Sequence, residues 1–139
     1  MTSHRTSVSF IFVWLALACG GPLQYKVPST AAAPGADASI SAEVLEEQNQ
    51  TQLEIEIKNL APPSRVEPSS KHFVSWYRLD ARDPWARIAA LDYDADSREG
   101  KMTSSVPLVH FVFQITAEPN VDAASPSSSV ILSQAIGNK

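Results

Sequence analysis

Residues 39–58, SISAEVLEEQNQTQLEIEIK, decide the fold class. Ile40, Ala42 and Val44 alternate with Ser39, Ser41 and Glu43. After the polar Glu47-Gln48-Asn49-Gln50 the alternation resumes, with Leu53, Ile55 and Ile57 on one face and Gln52, Glu54, Glu56 and Lys58 on the other. Successive side chains of a strand point to opposite faces, so each run has one apolar and one wet side. On a helix, Glu54, Ile57 and Lys58 would share one side, which makes a poor apolar stripe. Two alternating runs around a polar turn read as an antiparallel hairpin resting on a core.

Working outward, Asn59 to Ser70 reads as a loop, because Pro62, Pro63 and Pro68 interrupt ladder pairing. Residues 71–79, KHFVSWYRL, are aromatic and β-branched, apolar on both faces, and read as a central strand with Trp76 inside. Asp80 to Pro84 turns the chain into a fourth strand over Trp85 to Tyr93, with Ile88 and Ala90 inward. Asp94 to Gly100 is a polar turn, followed by a strand around Lys101 to Val106. Leu108 to Thr116 alternates most clearly, with Val109, Phe111, Phe113 and Ile115 opposite His110, Gln114 and Thr116. Val121 to Ser129 is a loop rich in Pro, Ser and Ala, and Val130 to Ala135 is the last strand. About seven strands in roughly a hundred residues, with no helical pattern, favour an all-β fold: an immunoglobulin-like β-sandwich rather than a barrel.

Part of this series resembles a known family. Phe73-Val74-Ser75-Trp76-Tyr77-Arg78-Leu79-Asp80, the acidic turn Asp92 to Gly100, Ile115-Thr116-Ala117-Glu118-Pro119 and Pro126 to Leu132 follow in order. They are similar to the extracytoplasmic C-terminal domain of the anti-sigma-K factor family, in which a Trp-bearing strand precedes a hairpin, a strand ending in Glu-Pro and a Pro-led return strand. Asn120-Val121 stand here where that family usually has Gly-Gly. The resemblance implies an envelope-side β-sandwich and carries no sigma-factor binding with it.

Toward the N-terminus the pattern changes. Residues 1–9, MTSHRTSVS, are polar, and Phe10 to Ala18, FIFVWLALA, are apolar without interruption. This is the pattern of a secretory signal, too short for a membrane span of about 20 residues. Leu15-Ala16-Leu17-Ala18-Cys19 resembles the lipobox of bacterial lipoproteins, with Ala16 and Leu17 in the reverse of the usual order. That resemblance implies cleavage before Cys19, acylation of its thiol and an anchor in membrane lipid; Gly20 in place of Asp resembles an outer-membrane address. Cys19 is the chain's one cysteine, at the one position a lipobox requires. The other reading is an ordinary signal cut near Ala18. Gly20 to Ala36 is rich in Pro, Ala, Gly, Ser and Thr and reads as a tether. The expected organisation is therefore a signal peptide over 1–18, a lipidated N-terminus and flexible linker over 19–36, and the sandwich over 37–139.

Charge and chemistry narrow the function classes. Loss of residues 1–18 removes Arg5 and no acid, leaving 10 basic and 15 acidic residues, a net charge of −5. Lys and Arg are scattered without a basic stripe, which argues against nucleic acid as a partner. With a single cysteine, no disulfide can form within the chain. Asp92, Asp94 and Asp96 match the first three ligand positions of a calcium loop, making a candidate calcium turn, but Ser97 and Thr103 occupy the places where Gly and Glu belong. His72 and His110 have no ligand spacing for zinc. Asn49-Gln50-Thr51 is a formal glycosylation sequon. No Gly-x-Ser-x-Gly elbow and no phosphate-binding glycine loop occurs.

The expectation is thus a non-enzymatic, membrane-anchored lipoprotein of the cell envelope, most consistent with the outer membrane. It has no catalytic residues and no cofactor. Acylated Cys19 meets membrane lipid, and the sandwich serves as an interaction module or accessory subunit for an envelope protein partner. The alternative is a small ligand-binding sandwich for calcium or glycan, using Asp92, Asp94 and Asp96 or the aromatic side chains of Trp76, Tyr77 and Trp85.

Overall fold

The computed structural model describes residues 21–137. Its nine strands are β1 (Leu23–Pro28), β2 (Asp37–Leu45), β3 (Gln50–Lys58), β4 (His72–Arg78), β5 (Ala86–Ala90), β6 (Asp92–Asp94), β7 (Glu99–Val106), β8 (Phe111–Glu118) and β9 (Val130–Ile136). A 3-10 turn, Glu46–Gln48, joins β2 to β3, and a single helical turn, α1 (Pro63–Val66), interrupts the proline-rich loop. All pairings are antiparallel, and they form two sheets, β1-β2-β3-β7-β6 and β5-β4-β8-β9. Apart from β1, this is the immunoglobulin order: A-B-E-D facing C′-C-F-G.

The hairpin at 39–58 sets the interior. Ile40 lies opposite Ile55, Ala42 opposite Leu53 and Ala38 opposite Ile57, so small and large side chains alternate along β2 against three large ones on β3. Phe73, Phe111, Phe113, Ile115 and Ala117 meet them from the second sheet. On the opposite face of β3, Gln52, Glu54 and Lys58 are exposed. The outer face of the five-stranded sheet is therefore wet, as the alternation requires.

Two bulges adapt the second sheet to this core. Ile88 and Ala89 of β5 both pack inward because the β4–β5 register shifts between Val74 and Trp76. Ser75 fits the bulge, donating its hydroxyl to the Ala89 carbonyl at 2.8 Å and accepting the Ala89 N–H at 3.2 Å. On β9, Ile131 is the extra residue, which buries Ile131 and Leu132 side by side. Bulged strands place consecutive residues on one face, which a strict two-residue period cannot do.

Several expectations are corrected here. The stretch read as a tether contains β1, paired over its whole length with β2, and Val27, Ala33 and Ala36 are buried. The sandwich therefore begins at Leu23 rather than Asp37. The single strand expected over 85–93 is two, because the chain passes from one sheet to the other at Leu91. Gly100 packs closely against that crossing: a Cβ there would lie 3.0 Å from the Leu91 Cδ2. Ala90, expected inward, pairs with Val74 on the outer face. The strand expected at 108–116 runs from Phe111 to Glu118, and Gln114 and Thr116 on its polar side are buried rather than wet.

The connections gather at two ends. At one end lie Glu46 to Asn49, Leu79 to Trp85, Pro107 to His110 and Gly137, beside the start of β1. The other end carries residues 29–36, 59–71, 95–98 and 119–129. Among the described residues no helix is long and apolar enough to cross a membrane.

Candidate functional site

The feature that simple strand alternation does not explain lies on the outer face of the four-stranded sheet. Trp76 and Val74 have no exposed surface, yet neither belongs to the cluster between the sheets. Trp76 is thus inside the protein, as expected, but on the opposite side of β4 from the main core. What covers this face is the β8–β9 connection, Pro119 to Ser129, bonded back across it.

A chain of hydrogen bonds holds the connection down. The Trp76 indole N–H donates to the Thr116 hydroxyl at 2.8 Å, and that hydroxyl donates to Glu118 Oε1 at 2.6 Å. The same carboxylate oxygen accepts the Ser127 N–H at 2.6 Å. Ser127 Oγ donates to the Ala117 carbonyl at 2.8 Å, and Arg87 Nη1 donates to the Val121 carbonyl at 2.9 Å. Glu118 is only 3% exposed, so its charge needs such partners. Bonds to an ionised acceptor are short and about twice as strong as neutral ones. The arrangement fastens a loop, with each hydroxyl proton committed to an acceptor.

At the end of the sandwich where β1 starts, the Arg78 guanidinium lies over the Trp85 ring, 4.2 Å from its centroid, and Nη1 donates to the Ala81 carbonyl at 3.2 Å. Such a cation–π contact contributes about 0.5–1 kcal/mol where water reaches it. The following turn is closed by its own carboxylates: Asp80 Oδ1 accepts the Arg82 N–H and Asp83 Oδ2 accepts the Asp80 N–H. Leu79 beside it is 48% exposed.

The residues singled out in the sequence are not brought together. Cys19 lies outside the described residues. Asp92 and Asp94 line a recess of 240 Å³ with Ser97, Glu99 and Lys101, the last supplying a cation among the acids. Asp94 Oδ1 already accepts the N–H groups of Asp96 and Ser97, at 2.9 and 3.3 Å, as the staple of its own turn. Among the described residues no group of three or more His, Cys, Asp or Glu side chains is placed to hold a metal ion. His72 sits on β4 opposite Glu118, whereas His110 is exposed on a connection. Trp76, Tyr77 and Trp85 do not form one platform: Trp76 is covered, Tyr77 packs edge-on against Phe111, and Trp85 stacks with Arg78. Asn49, of the sequon, is exposed at the β2–β3 turn with a left-handed backbone, φ 50°.

Sequence reading missed the Trp76–Thr116–Glu118–Ser127 chain. A signal was present: Glu118 ends a largely apolar strand and precedes Pro119, where a buried acid needs donors from the next loop. No protein-family model matches this sequence, and comparison with curated proteins and with solved structures gives no match.

Proposed function

We propose that this chain is a lipid-anchored protein of the cell envelope, whose sandwich is a non-enzymatic interaction module or accessory subunit of a surface assembly. The observation that carries the reading is the continuity between signal and fold. An apolar run, Phe10 to Ala18, ends at the chain's sole cysteine, and the first strand begins at Leu23. The domain thus starts just after the point where an export signal would stop. Two acyl chains on Cys19 hold a protein at a bilayer, because each buried methylene contributes about 0.8 kcal/mol. The pinned 119–129 connection supports the second half of the reading, since a loop held in one shape loses little freedom on meeting a partner.

Detergent phase separation of the natural product tests the anchor. The wild type should enter the detergent phase and a Cys19→Ala variant the aqueous phase. A wild type found in the aqueous phase overturns it. Recovery of the same envelope protein with the wild type, and its loss when the 119–129 connection is replaced by a short Gly/Ser turn, tests the module.

A further inference from the structure

We infer that the end of the sandwich formed by Glu46 to Asn49, Leu79 to Trp85 and Pro107 to His110 faces a lipid bilayer directly, with the opposite end turned away from it. The inference rests on the lipid-anchor reading of Cys19 and adds to it a defined orientation. It follows from how little chain separates that residue from the fold. Gly21 lines a recess of 250 Å³ together with Leu23, Val44, Glu46 and Val109, so its place is at this end. Two further residues lead back to Cys19, and two residues of extended polypeptide span at most about 7 Å. The seventeen residues of slack in a tether reaching Ala36 are not there, because β1 takes up six of them and pairs in full register with β2.

A strand rises about 3.4 Å per residue, so the nine residues of β3 make the sandwich roughly 30 Å long. A leash of about 7 Å cannot carry the far end of such a body round to the membrane. It leaves the near end at headgroup level. The side chains there suit that depth. Leu79 is 48% exposed, Trp85 offers a half-buried ring carrying the Arg78 guanidinium, and Leu108 and Val109 are half-buried. Trp and Arg place an apolar body against hydrocarbon and a polar tip in water. Glu46, Glu47, Asp80 and Asp83 are exposed beside them and outnumber the exposed Arg82 and the ring-bound Arg78. These carboxylates keep the end from sinking deeper and disfavour anionic lipid, so the fitting partner is a zwitterionic surface held close by acyl chains rather than by protein charge.

The test uses chain 19–139, which carries every strand of the sandwich, coupled through the Cys19 thiol to a maleimide-bearing phospholipid in phosphatidylcholine vesicles. Millisecond hydrogen exchange is compared between coupled and free protein. Amides of 46–49, 79–85 and 107–110 should slow by about threefold or more, while those of 59–71 and 95–98 keep their rates. A spacer of about fifteen Gly and Ser residues between Gly20 and Gly21 should abolish the slowing, because it lengthens the leash beyond the size of the body. Unchanged rates at the near end, or slowing at the far end instead, overturn the orientation. Intact mass of the natural product is read separately: an unmodified Cys19 overturns the lipid reading, whereas unslowed loops beside an acylated natural product overturn the orientation alone.

Discussion

The indole N–H of Trp76 and the hydroxyl of Thr116 meet at 2.8 Å across the outer face of the four-stranded sheet, both with no exposed surface. The hydroxyl is an acceptor for the indole and a donor to Glu118, so neither neighbour has water as a substitute. Thr116→Val keeps the shape and removes both bonds. A buried group left without its partner costs about 1–3 kcal/mol, so the variant should lose about 2–4 kcal/mol in urea unfolding. Thr103→Val, on the exposed face of β7, should change stability by less than about 0.5 kcal/mol.

Glu118→Ala removes the acceptor shared by Thr116 and Ser127. The loss should appear first in the 119–129 connection. Its amides should exchange at least about tenfold faster while those of β3 change less, because local opening is cheaper than global unfolding. Equal acceleration in β3 and the connection would show that the carboxylate acts on the whole fold rather than on the loop.

Val27 separates a strand from a tether. It is 4% exposed and faces the core from β1. Val27→Asp buries an unpaired charge and should cost about 3 kcal/mol or more, whereas Ala32→Asp, at an exposed turn, should be nearly silent. Unfolding midpoints in urea compare the two.

Burial pushes the Tyr93 phenol above its ordinary value of 10.0, Arg98 opposes the shift and Asp94 adds to it. A raised acid pKa means that the unfolded chain releases this proton first. The contribution is therefore complete below pH 10.0 and is lost as pH rises through the folded value. Stability measured at intervals from pH 8 to about 11 should fall more steeply in the wild type than in Tyr93→Phe. Below that range the variant lacks the 2.7 Å hydrogen bond that Tyr93 gives to the Leu60 carbonyl and should be the less stable of the two.

Legibility followed the period of two. Residues 39–58 could be read because one face meets the core and the other meets water. Leu53, Ile55 and Ile57 are buried and Gln52 and Glu54 exposed, as the letters suggest. Reading failed where a second layer covers a sheet's outer face: Gln114 and Thr116 look like water-facing residues and are buried on the face that the 119–129 connection covers. It failed again at β1, where Leu23, Tyr25 and Val27 alternate but sit in a stretch dominated by Pro, Ala and Gly. Composition averaged over that window hid three inward side chains. The crossing at Leu91 was hidden for another reason, since a continuous apolar run carries no mark of which sheet each residue joins. Among the residues that suggest chemistry, Asp94 has the spacing of a calcium ligand, but its carboxylate holds its own turn. The clasp at Glu118 joins Thr116, two residues before it, to Ser127, nine after it, and through Thr116 to Trp76 on another strand, and spacing rules for local motifs do not span that set.

The antiparallel ladder between β1 and β2 also determines how the domain bears force. Tension applied at Cys19 against a grip on the opposite end pulls β1 along its own axis. The inter-strand hydrogen bonds stand perpendicular to that axis, so the six register pairs from Leu23–Ala42 to Pro28–Asp37 are loaded together rather than peeled one by one. Shear of this kind spreads the load along the whole first strand. A pull applied sideways at Leu23 would unzip the same ladder at far lower load.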